Sequence, residues 1–502
     1  MDTSMNLYME KHRPQLHFSL PEKWMNDPNG LVFHNDTYHL FYQHNPFCDV
    51  WGPMHWGHAV SKDLVTWSHL PIALFPDELG TIFSGCVIVD ERNAAGFQKE
   101  TNRKTLIAIF TQHLENSSSM YLQRQSLAYS IDNGVTWKMY ENNPIIENCG
   151  EKDFRDPKVI EYNNHFIMCL AVGNRIKFYR SYNLLDWIEL SEFGVNEGAH
   201  DGVWECPDLF PLQYRNNTYW VLLVSINPGG PNKGSATQYF IGNFDGEVFT
   251  NYNSSDTVLW LDYGPDSYAG GTWNSIDSRS ARLFISWMNN WDYGQTIPTK
   301  PWRGQMSIPR TLTLMSVNEN IYLCSKPIAL KPNLLFNKVN IEEIEVRSGE
   351  SRTLQTLETS LLDIRLIFDI TNLCERDSFE LCFENERESV CVGFNYSLNN
   401  YYIDRSNSGI IDFDDKFTVK PTAARHIDDK IIFWHIIVDV SSIEVFADNG
   451  LTVMTSIFFC NQKFTEMRLK VFSNNADITS MLLLKESLII PLETIWNPEI
   501  KN

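Results

Sequence analysis

The stretch that decides the fold is SKDLVTW (61–67), because two further versions of it follow as SIDNGVTW (130–137) and SYNLLDW (181–187). Each version joins a turn to a Trp, and GNFDG (242–246) begins a similar turn. A degenerate repeat of roughly 50 to 70 residues is typical of the four-stranded blades of a β-propeller. The repeat therefore predicts blades.

The segments between these turns are short apolar runs of strand length, such as 106–110 and 219–224, without long helical periodicity. A single blade cannot bury both of its faces, so we expect the Trp after each outer hairpin to pack on the neighbouring blade. About five such units fit into residues 15–320. The competing interpretation is a β-sandwich in which the Ser-x-Asp turns recur by chance.

After about residue 340 the pattern changes to strict alternation, with Ile364, Leu366, Phe368 and Ile370 on one face. Two-faced strands with one solvated side are typical of an antiparallel β-sandwich. We therefore predict an all-β chain with a five-bladed propeller over residues 15–325, a linker over 326–351 and a β-sandwich over 352–495.

Composition and charge exclude several classes of function. The 502 residues carry 41 Lys and Arg against 62 Asp and Glu, a net charge of −21, and no basic run occurs. Nucleic acids and anionic membranes both require clustered cations, so neither is an expected partner. The ten cysteines lack the paired spacing of a zinc site, and we expect buried free thiols and no bound metal.

The first residues, MDTSMNL (1–7), lack the basic and apolar regions of a signal peptide, which favours a cytoplasmic location. Secretion remains the alternative, because five Asn-x-Ser/Thr triplets begin at Asn35, Asn116, Asn216, Asn253 and Asn395.

Three short segments carry candidate acids in turn-rich surroundings: WMNDPNG (24–30), FRDP (154–157) and WECPD (204–208). Arg155 beside Asp156 would hold that carboxylate ionised, and Trp204 beside Glu205 would raise the pKa of the acid by desolvation, the profile of a proton donor. The plain alternatives are a surface Asx turn at Asp27 and a structural ion pair at Asp156. By composition alone, Asp208 rivals Glu205.

Glycoside cleavage needs one carboxylic acid to protonate the leaving oxygen and one carboxylate to attack the anomeric carbon or guide water to it. The innermost strands of successive propeller blades converge on one axis, so acids far apart in sequence can meet in one funnel. The three segments can therefore form a single site.

These three blocks resemble the signature segments of glycoside hydrolase family 32, the invertase and fructanase family. The similarity extends through YQ (42–43), WGP (51–53), WGH (56–58) and FSG (83–85), and it includes SIEVF (442–446) late in the chain. The stretch 51–90 looks most like the bacterial sucrose and sucrose-6-phosphate hydrolase branch. The resemblance implies a five-bladed propeller followed by a β-sandwich.

The resemblance also implies roles for matching residues. Asp27 would be the nucleophile, Glu205 the general acid/base, and Asp156 the stabiliser of the charged sugar ring. For retention of configuration, the carboxyl groups of Asp27 and Glu205 should lie about 5 to 5.5 Å apart. The mechanism requires no cofactor, and it leaves no catalytic role for His58, which we expect to be a packed, hydrogen-bonded side chain.

Around the acids the resemblance implies a fructose pocket and a rim. The pocket residues would be Asn26, Gln43, Trp51, Phe83, Ser84, Arg155 and Trp291. At the rim would lie Asp266 and Tyr268, and Tyr268 could tune the proton of Glu205. Trp51 and Trp291 have the alternative of being plain core side chains.

The expected substrate is a small sugar, with sucrose first, sucrose 6-phosphate second and short inulin or levan chains third. A phosphorylated sugar would need a cation at the rim, for which Arg175, Lys177 and Arg303 are candidates. Two other functions remain possible from the sequence: a fructosyltransferase, and a catalytically silent carbohydrate-binding propeller that would have no use for a matched donor and nucleophile.

Overall fold

The computed structural model describes residues 7–98, 104–115, 121–276, 280–473 and 480–496, so the triplet at Asn116 lies outside the described residues. Within these ranges the chain forms 36 strands, and its helices are two single 3-10 turns, Asp415–Thr418 and Asp448–Gly450. No helix in the described part of the chain has the length and apolar character needed to cross a membrane. The predicted all-β class is confirmed.

Five antiparallel sheets, each with a core of four strands, form the propeller. Blade 1 contains β1 (Lys23–His34), β2 (Thr37–Asn45), β3 (His55–Ser61) and β4 (Trp67–Leu74). Blade 2 contains β5 (Thr81–Asp90), β6 (Thr105–Glu115), β7 (Tyr121–Ser130) and β8 (Lys138–Met139). Blade 3 contains β9 (Phe154–Tyr162), β10 (His165–Val172), β11 (Arg175–Ser181) and β12 (Ile188–Phe193).

Blade 4 contains β13 (Val203–Tyr214), β14 (Asn217–Asn227), β15 (Ala236–Phe244) and β16 (Phe249–Asn251), with β17 (Leu259–Trp260) also paired to β15. Blade 5 contains β18 (Tyr268–Thr272), β19 (Arg282–Trp287), β21 (Arg310–Val317) and β22 (Asn320–Pro327). The short strand β20 (Trp302–Arg303) lies between β19 and β21 in the sequence but pairs in parallel with β1. A segment of the last blade's sequence therefore joins the sheet of blade 1.

The repeated stretch forms the turn between the third and fourth strands of blades 1 to 3. In blade 1 the Ser61 hydroxyl accepts hydrogen bonds from two following amides, and the Asp63 carboxylate accepts from the next two. The Trp that follows packs on the preceding blade: Trp137 of blade 2 stands edge-on to Phe41 of blade 1, with ring centroids 5.5 Å apart. The local pattern therefore sets both the turn and the contact between blades.

Two antiparallel sheets form the C-terminal sandwich. The first contains β23 (Val339–Ile341), β24 (Ile344–Arg347), β26 (Leu362–Asp369), β31 (Ile431–Val438), β32 (Ser442–Ala447), β33 (Thr452–Ile457), β35 (Met481–Leu484) and β36 (Ser487–Pro491). The second contains β25 (Ser351–Thr356), β27 (Asp377–Glu384), β28 (Ser389–Asn395), β29 (Asn400–Asn407), β30 (Thr422–Ala424) and β34 (Glu466–Ser473). The four alternating residues from Ile364 to Ile370 are all buried in the core between these sheets, as predicted.

Two features of the sandwich differ from the sequence expectations. Strands β23 and β24 lie inside the predicted linker 326–351, because the apolar side chains of Ile341 and Val346 are buried in the sandwich while their strands pair with β36 and β35. Cys382 and Cys391, expected as free thiols, form a disulfide because they face each other directly on β27 and β28. The other eight cysteines are free.

A buried ionic network joins the two domains. Arg310 of blade 5 donates to Glu444 of β32 and to Asp262, and both carboxylates are fully buried. His17 bridges Asp439 and Glu444 with ring-nitrogen distances of 2.7 and 2.8 Å. We call Asp262, Glu444 and Asp439 the interface acids. Their cationic partners compensate for the cost of burying these charges.

Candidate active site

The first strands of the blades meet at the propeller axis, and a cavity of about 280 Å³ opens there. It brings together all three candidate acids and most of the predicted pocket residues. Its lining consists of Asn26, Asp27, Gln43, Trp51, Phe83, Ser84, His113, Tyr121, Gln123, Asp153, Arg155, Asp156, Glu205 and Trp291. The three acids lie near the beginnings of β1, β9 and β13.

Each acid sits where regular strand pairing is interrupted. The register shifts between Met25 and Pro28 on β1, opposite Asp156 and Pro157 on β9, and between Glu205 and Asp208 on β13. Pro has no amide hydrogen for the ladder, and bulges re-aim neighbouring side chains. Asp156 and Cys206 have positive φ values of 66° and 47°, a conformation concentrated at functional sites. The Asp-Pro and Cys-Pro pairs therefore belong to irregularities that turn acids toward the axis.

Asp27 is held by two neighbouring donors. Ser84 Oγ donates to its Oδ2 over 2.7 Å, and Asn26 Nδ2 donates to its Oδ1 over 3.0 Å. Burial and the nearby Glu205 charge together raise the pKa of Asp27 to about 6, against the lowering effect of these two hydrogen bonds. The carboxylate is thus oriented while remaining able to titrate near neutral pH.

Glu205 is held from both sides. Arg155 donates to its Oε1 from Nε and Nη2, at 3.0 and 2.8 Å, and the Tyr268 hydroxyl donates to its Oε2. Trp204 does not face this carboxylate. Its indole packs in the core between blades 3 and 4 and donates to the Ala199 carbonyl, so the expected desolvation by that ring is replaced by contacts with Arg155 and Tyr268.

Asp156 differs from the expectation that Arg155 would hold it ionised. Burial raises the pKa of Asp156 to about 7; Arg155 opposes this shift, whereas the charges of Glu205 and Asp27 add to it. The reason is that Arg155 hydrogen-bonds Glu205 and Asp153, and its Nε stays 4.0 Å from Asp156 Oδ2. One guanidinium is shared among several carboxylates, so the pocket acids repel one another.

The predicted binding residues include buried side chains with amide or hydroxyl groups and aromatic side chains that are partly exposed. Asn26, Gln43 and Ser84 are buried, while Trp51 is 40% exposed and therefore not a core side chain. Trp291 lines the cavity and packs against Trp287, with centroids 5.0 Å apart. Such a lining of amides and aromatic faces suits a sugar.

Asp266 does not lie at the rim, which corrects the sequence prediction. Its side chain is fully buried at the domain interface, where it pairs with Arg405 of the sandwich at 2.6 Å and accepts from Tyr293. Tyr268 is also buried, and its hydroxyl donates to Glu205 Oε2. Asp266 precedes β18 and turns toward the other domain.

Sequence reasoning missed four lining residues: His113, Tyr121, Gln123 and Asp153. The His113 ring stacks on Phe83 at 4.3 Å, and the Tyr121 hydroxyl donates to Asp153, which also binds Arg155. Asp153 carried a weak signal, because it is an acid that stands two residues before Arg155. The other three come from β6 and β7, where no motif marks them.

The remaining sequence candidates have structural roles. Asp208 lies at the axis, where its carboxylate pairs with Lys158 at 3.1 Å and accepts from the Thr272 amide. His58 is buried, stacks on Phe41 and hydrogen-bonds His39 at 3.0 Å, as expected. Neither lines the cavity that holds the three candidate acids.

The cations considered for a phosphate site are already paired. Arg175 and Lys177 both contact Glu151, and Arg303 lies 3.5 Å from Asp49. In the described ranges, the cation that lines the pocket is Arg155, which is committed to carboxylates. Among the same residues, the group with metal-ligand spacing is Glu380, Cys382 and Cys391, and its two sulfur atoms form the disulfide.

Comparisons with known proteins agree with this architecture. The model "Glycosyl hydrolases family 32 N-terminal domain" matches residues 17–327, and "Glycosyl hydrolases family 32 C terminal" matches 334–485. The chain is 41% identical to a levanase of Bacillus subtilis (strain 168), over 97% of this chain and 72% of the levanase. It is 36% identical to an extracellular exo-inulinase of Aspergillus awamori, over 92% of both chains.

Solved structures give the same picture. The A. awamori exo-inulinase crystal structure superposes with a TM-score of 0.86 at 33% identity, over 97% of this chain and 100% of that one. A sucrose-6-phosphate hydrolase from Lactobacillus gasseri superposes with a TM-score of 0.77 at 22% identity, over 98% and 95%. The sequence identity to the exo-inulinase is thus higher than the identity to this sucrose-6-phosphate hydrolase.

Proposed function

The chain belongs to glycosyl hydrolases family 32 and is a glycosidase that acts on fructosides, and from that premise we propose that it releases terminal fructose from β-linked fructans and from sucrose. The observation that supports this most is the meeting of Asp27, Asp156 and Glu205 in one cavity of about 280 Å³. That volume is near the lower end of the range for ligand pockets, roughly 300 to 1,000 Å³. It suits one terminal sugar unit and therefore exo-cleavage.

Asp27 is the proposed nucleophile. Its Oδ2 accepts from Ser84 and its Oδ1 from Asn26, so the attacking group is oriented before substrate binds. Attack on the anomeric carbon forms a covalent fructosyl-enzyme while the bond to the leaving oxygen breaks. Water then attacks the same carbon and releases Asp27, with retention of configuration.

Glu205 is the proposed acid and base. It gives a proton to the leaving oxygen in the first step and takes one from water in the second. Arg155 and Tyr268 hold both of its oxygens, which fixes the carboxyl group relative to the sugar. Asp156, buried beside them, is proposed to bind ring hydroxyls and to stabilise the positive charge that develops on the fructosyl ring.

Fructans take the first place among substrates, ahead of sucrose. The similarity to a levanase and an exo-inulinase favours this order. Sucrose 6-phosphate takes the last place, because the one described cation in the pocket lining, Arg155, already binds Glu205 and Asp153. A phosphate would approach three carboxylates without a free cationic partner, which costs binding energy.

The test is release of free fructose from levan, inulin, sucrose and sucrose 6-phosphate by the wild-type protein. We expect fructose as the first product from both fructans, with glucose and fructose from sucrose. Early appearance of internal oligosaccharides would contradict exo-cleavage. Kestose-type trisaccharides at high sucrose would indicate transfer in place of hydrolysis, and inertness on all four substrates would favour a binding module.

The role of Glu205 has a separate test. Glu205→Gln should lower turnover of sucrose by about 10²- to 10⁴-fold, the usual contribution of a general acid–base catalyst. A β-fructoside whose leaving group needs no protonation should restore the first chemical step, visible as a burst of released leaving group. Equal loss on both kinds of substrate would rule out the proposed proton donor.

A further inference from the structure

Arg405 of the sandwich is a fully buried cation whose hydrogen bonds reach across the domain interface. From β29, its Nη1 donates to Asp266 Oδ2 at 2.6 Å and its Nη2 donates to the Tyr293 hydroxyl at 2.8 Å. Tyr293 in turn donates to Asp266 Oδ1 at 2.7 Å, which closes a triangle. The guanidinium also stacks on Phe417, 3.9 Å from the ring centroid. Its position is therefore rigidly defined.

The two partners of Arg405 belong to segments that enter the active site. Asp266 stands two residues before Tyr268, whose hydroxyl binds Glu205. Tyr293 stands two residues after Trp291, which lines the pocket. Arg405 of the sandwich thus holds one residue close in sequence to Tyr268, which contacts Glu205, and one close in sequence to Trp291, which lines the pocket.

The segment before Tyr268 takes its support from the sandwich. The Tyr263 amide donates to the Val453 carbonyl and the Asp266 amide to the Thr455 carbonyl, both on β33. The Ile457 amide donates back to Asp266 Oδ2 at 3.0 Å. Within blade 5, Tyr268 pairs with Trp287, but the register shifts between Tyr268 and Gly271, so the regular pairing of β18 is interrupted directly after Tyr268. The position of its hydroxyl depends on contacts made by the other domain.

We propose that Arg405 is a positioning residue: by holding Asp266 and Tyr293, it sets the Tyr268 hydroxyl against Glu205 and the Trp291 ring against the sugar. The inference rests on the proposed function and gives the sandwich a part in catalysis without contact to substrate. A displacement of about 1 Å in a catalytic group can cost on the order of 10²-fold in rate. Loss of the triangle should therefore lower turnover although every pocket residue remains.

The mildest test is Tyr293→Phe, which removes only the hydroxyl that joins Asp266 to Arg405. Its matched control is Tyr263→Phe, because Tyr263 is also buried at the interface and its hydroxyl also meets a sandwich residue, His426 at 3.2 Å. We expect Tyr293→Phe to lower kcat on sucrose about 3- to 10-fold, with Tyr263→Phe unchanged within twofold. Both variants lose a similar interface contact, so only positioning separates them.

The stronger test compares Arg405→Met and Arg405→Lys with Arg310→Met and Arg310→Lys. Arg310 is an equally buried interface cation, and its propeller partner, Asp262, stands six residues before Tyr268 in place of two. We expect the Arg405 variants to lose about 10- to 100-fold in kcat. The Glu205 charge raises the pKa of Asp27, so displacement of Glu205 should also move the acid limb of kcat/KM that Asp27 sets. The Arg310 variants should keep the wild-type pH profile at matched folded fraction.

Two results would overturn the proposal: Tyr293→Phe indistinguishable from Tyr263→Phe, or Arg405 and Arg310 variants with the same kcat and pH profile per folded molecule. If a methionine variant does not fold, the lysine variants and Tyr293→Phe still decide. Failure of the proposed function would look different, because the wild-type protein itself would then release no fructose.

Discussion

Two groups of carboxylates are buried in the molecule, one in the pocket and one at the domain interface, and the pKa values of Asp27 and Asp156 in the first group shift in the opposite direction from that of Glu444 in the second. In the pocket, burial raises the pKa of Asp27 to about 6 and that of Asp156 to about 7, and Arg155 is shared among Asp153, Asp156 and Glu205. At the domain interface, Glu444 is buried as deeply, yet Arg310 and His17 outweigh burial and lower its pKa to about 2.

The difference between Glu444 and the two pocket acids lies in their cationic partners and not in burial. Glu444 contacts two cations, Arg310 and His17, so its ionisation is favoured in the folded state and contributes to stability. In the pocket several acids share one guanidinium, and their mutual repulsion costs stability and keeps protonation within reach of neutral pH. The interface acids stabilise the contact between the two domains, while the pocket acids are proposed to catalyse the reaction. Substitution or titration of single residues in each group tests this contrast.

The largest effect is expected for Asp27→Asn. Loss of the nucleophile should lower kcat by about 10⁴-fold or more. Because the pKa of Asp27 is raised from its ordinary value near 4 to about 6, its ionisation destabilises the folded state progressively as pH rises between these two values. The variant should therefore gain about 1 to 3 kcal/mol in free energy of unfolding at pH 8, and most of this gain should vanish at about pH 4.

Denaturant unfolding of wild type and Asp27→Asn at both pH values measures this gain. Ser84→Ala is a useful control, because it removes a partner of the carboxylate but keeps the charge in place. A variant that loses activity and also unfolds more easily at pH 8 would show that Asp27 is not under electrostatic strain.

The second effect is expected for Glu444→Gln. It leaves Arg310 and His17 buried without their shared anion, which should cost about 3 to 5 kcal/mol in free energy of unfolding. At a temperature where both proteins are folded, kcat on sucrose should stay within a few-fold of wild type. Calorimetry gives the stability and an assay on the same preparation gives kcat. A variant that is as stable as wild type but inactive would contradict the structural role of Glu444.

The third effect concerns His17, whose pKa is raised to about 9 because its hydrogen bonds to the Asp439 and Glu444 carboxylates outweigh the lowering effect of burial. A group whose pKa is raised in the folded state stabilises fully below its unfolded pKa and loses this contribution as pH rises through the folded value. Between pH 7 and 10 the free energy of unfolding should fall by about 2 to 3 kcal/mol. His17→Gln should flatten this fall, and unchanged pH dependence would contradict the assignment.

The smallest effect is on the acid side of the rate profile. Catalysis needs ionised Asp27, so kcat/KM should fall about tenfold per pH unit below pH 6. Asn26→Ala removes a hydrogen bond that lowers the pKa of Asp27, and it should move this limb to higher pH. Movement in the other direction would mean that another group sets the limb.

The sequence was most informative where structure is local. The Ser-x-Asp turns could be predicted because their hydrogen bonds join residues two to four positions apart, and Trp137 marks the face that meets the next blade. The three acids could be found because each stands in a compact motif around Pro. Whether one pocket unites them depends on the propeller, which the repeat itself indicates.

The errors arose where the decisive neighbour lies far away in the chain. Asp266 was expected at the rim because it adjoins Tyr268, but its direction is set by Arg405 of the other domain. The expected effect of Trp204 on Glu205 failed because adjacent residues of a strand face opposite ways. His113 on β6 and Gln123 on β7 reach the pocket because the folded blades bring these strands to it. No sequence motif marks either residue.

The segment that precedes β1 has a consequence for synthesis of the chain. The amides of Gln15 and Leu16 donate to Asp439, and Ser441 donates to the His12 carbonyl, while β1 itself pairs with β20. These residues therefore have partners that are made more than 400 residues later in the chain. Such long-range closure is slow, so this segment should stay without its partners during synthesis until the sandwich strands emerge.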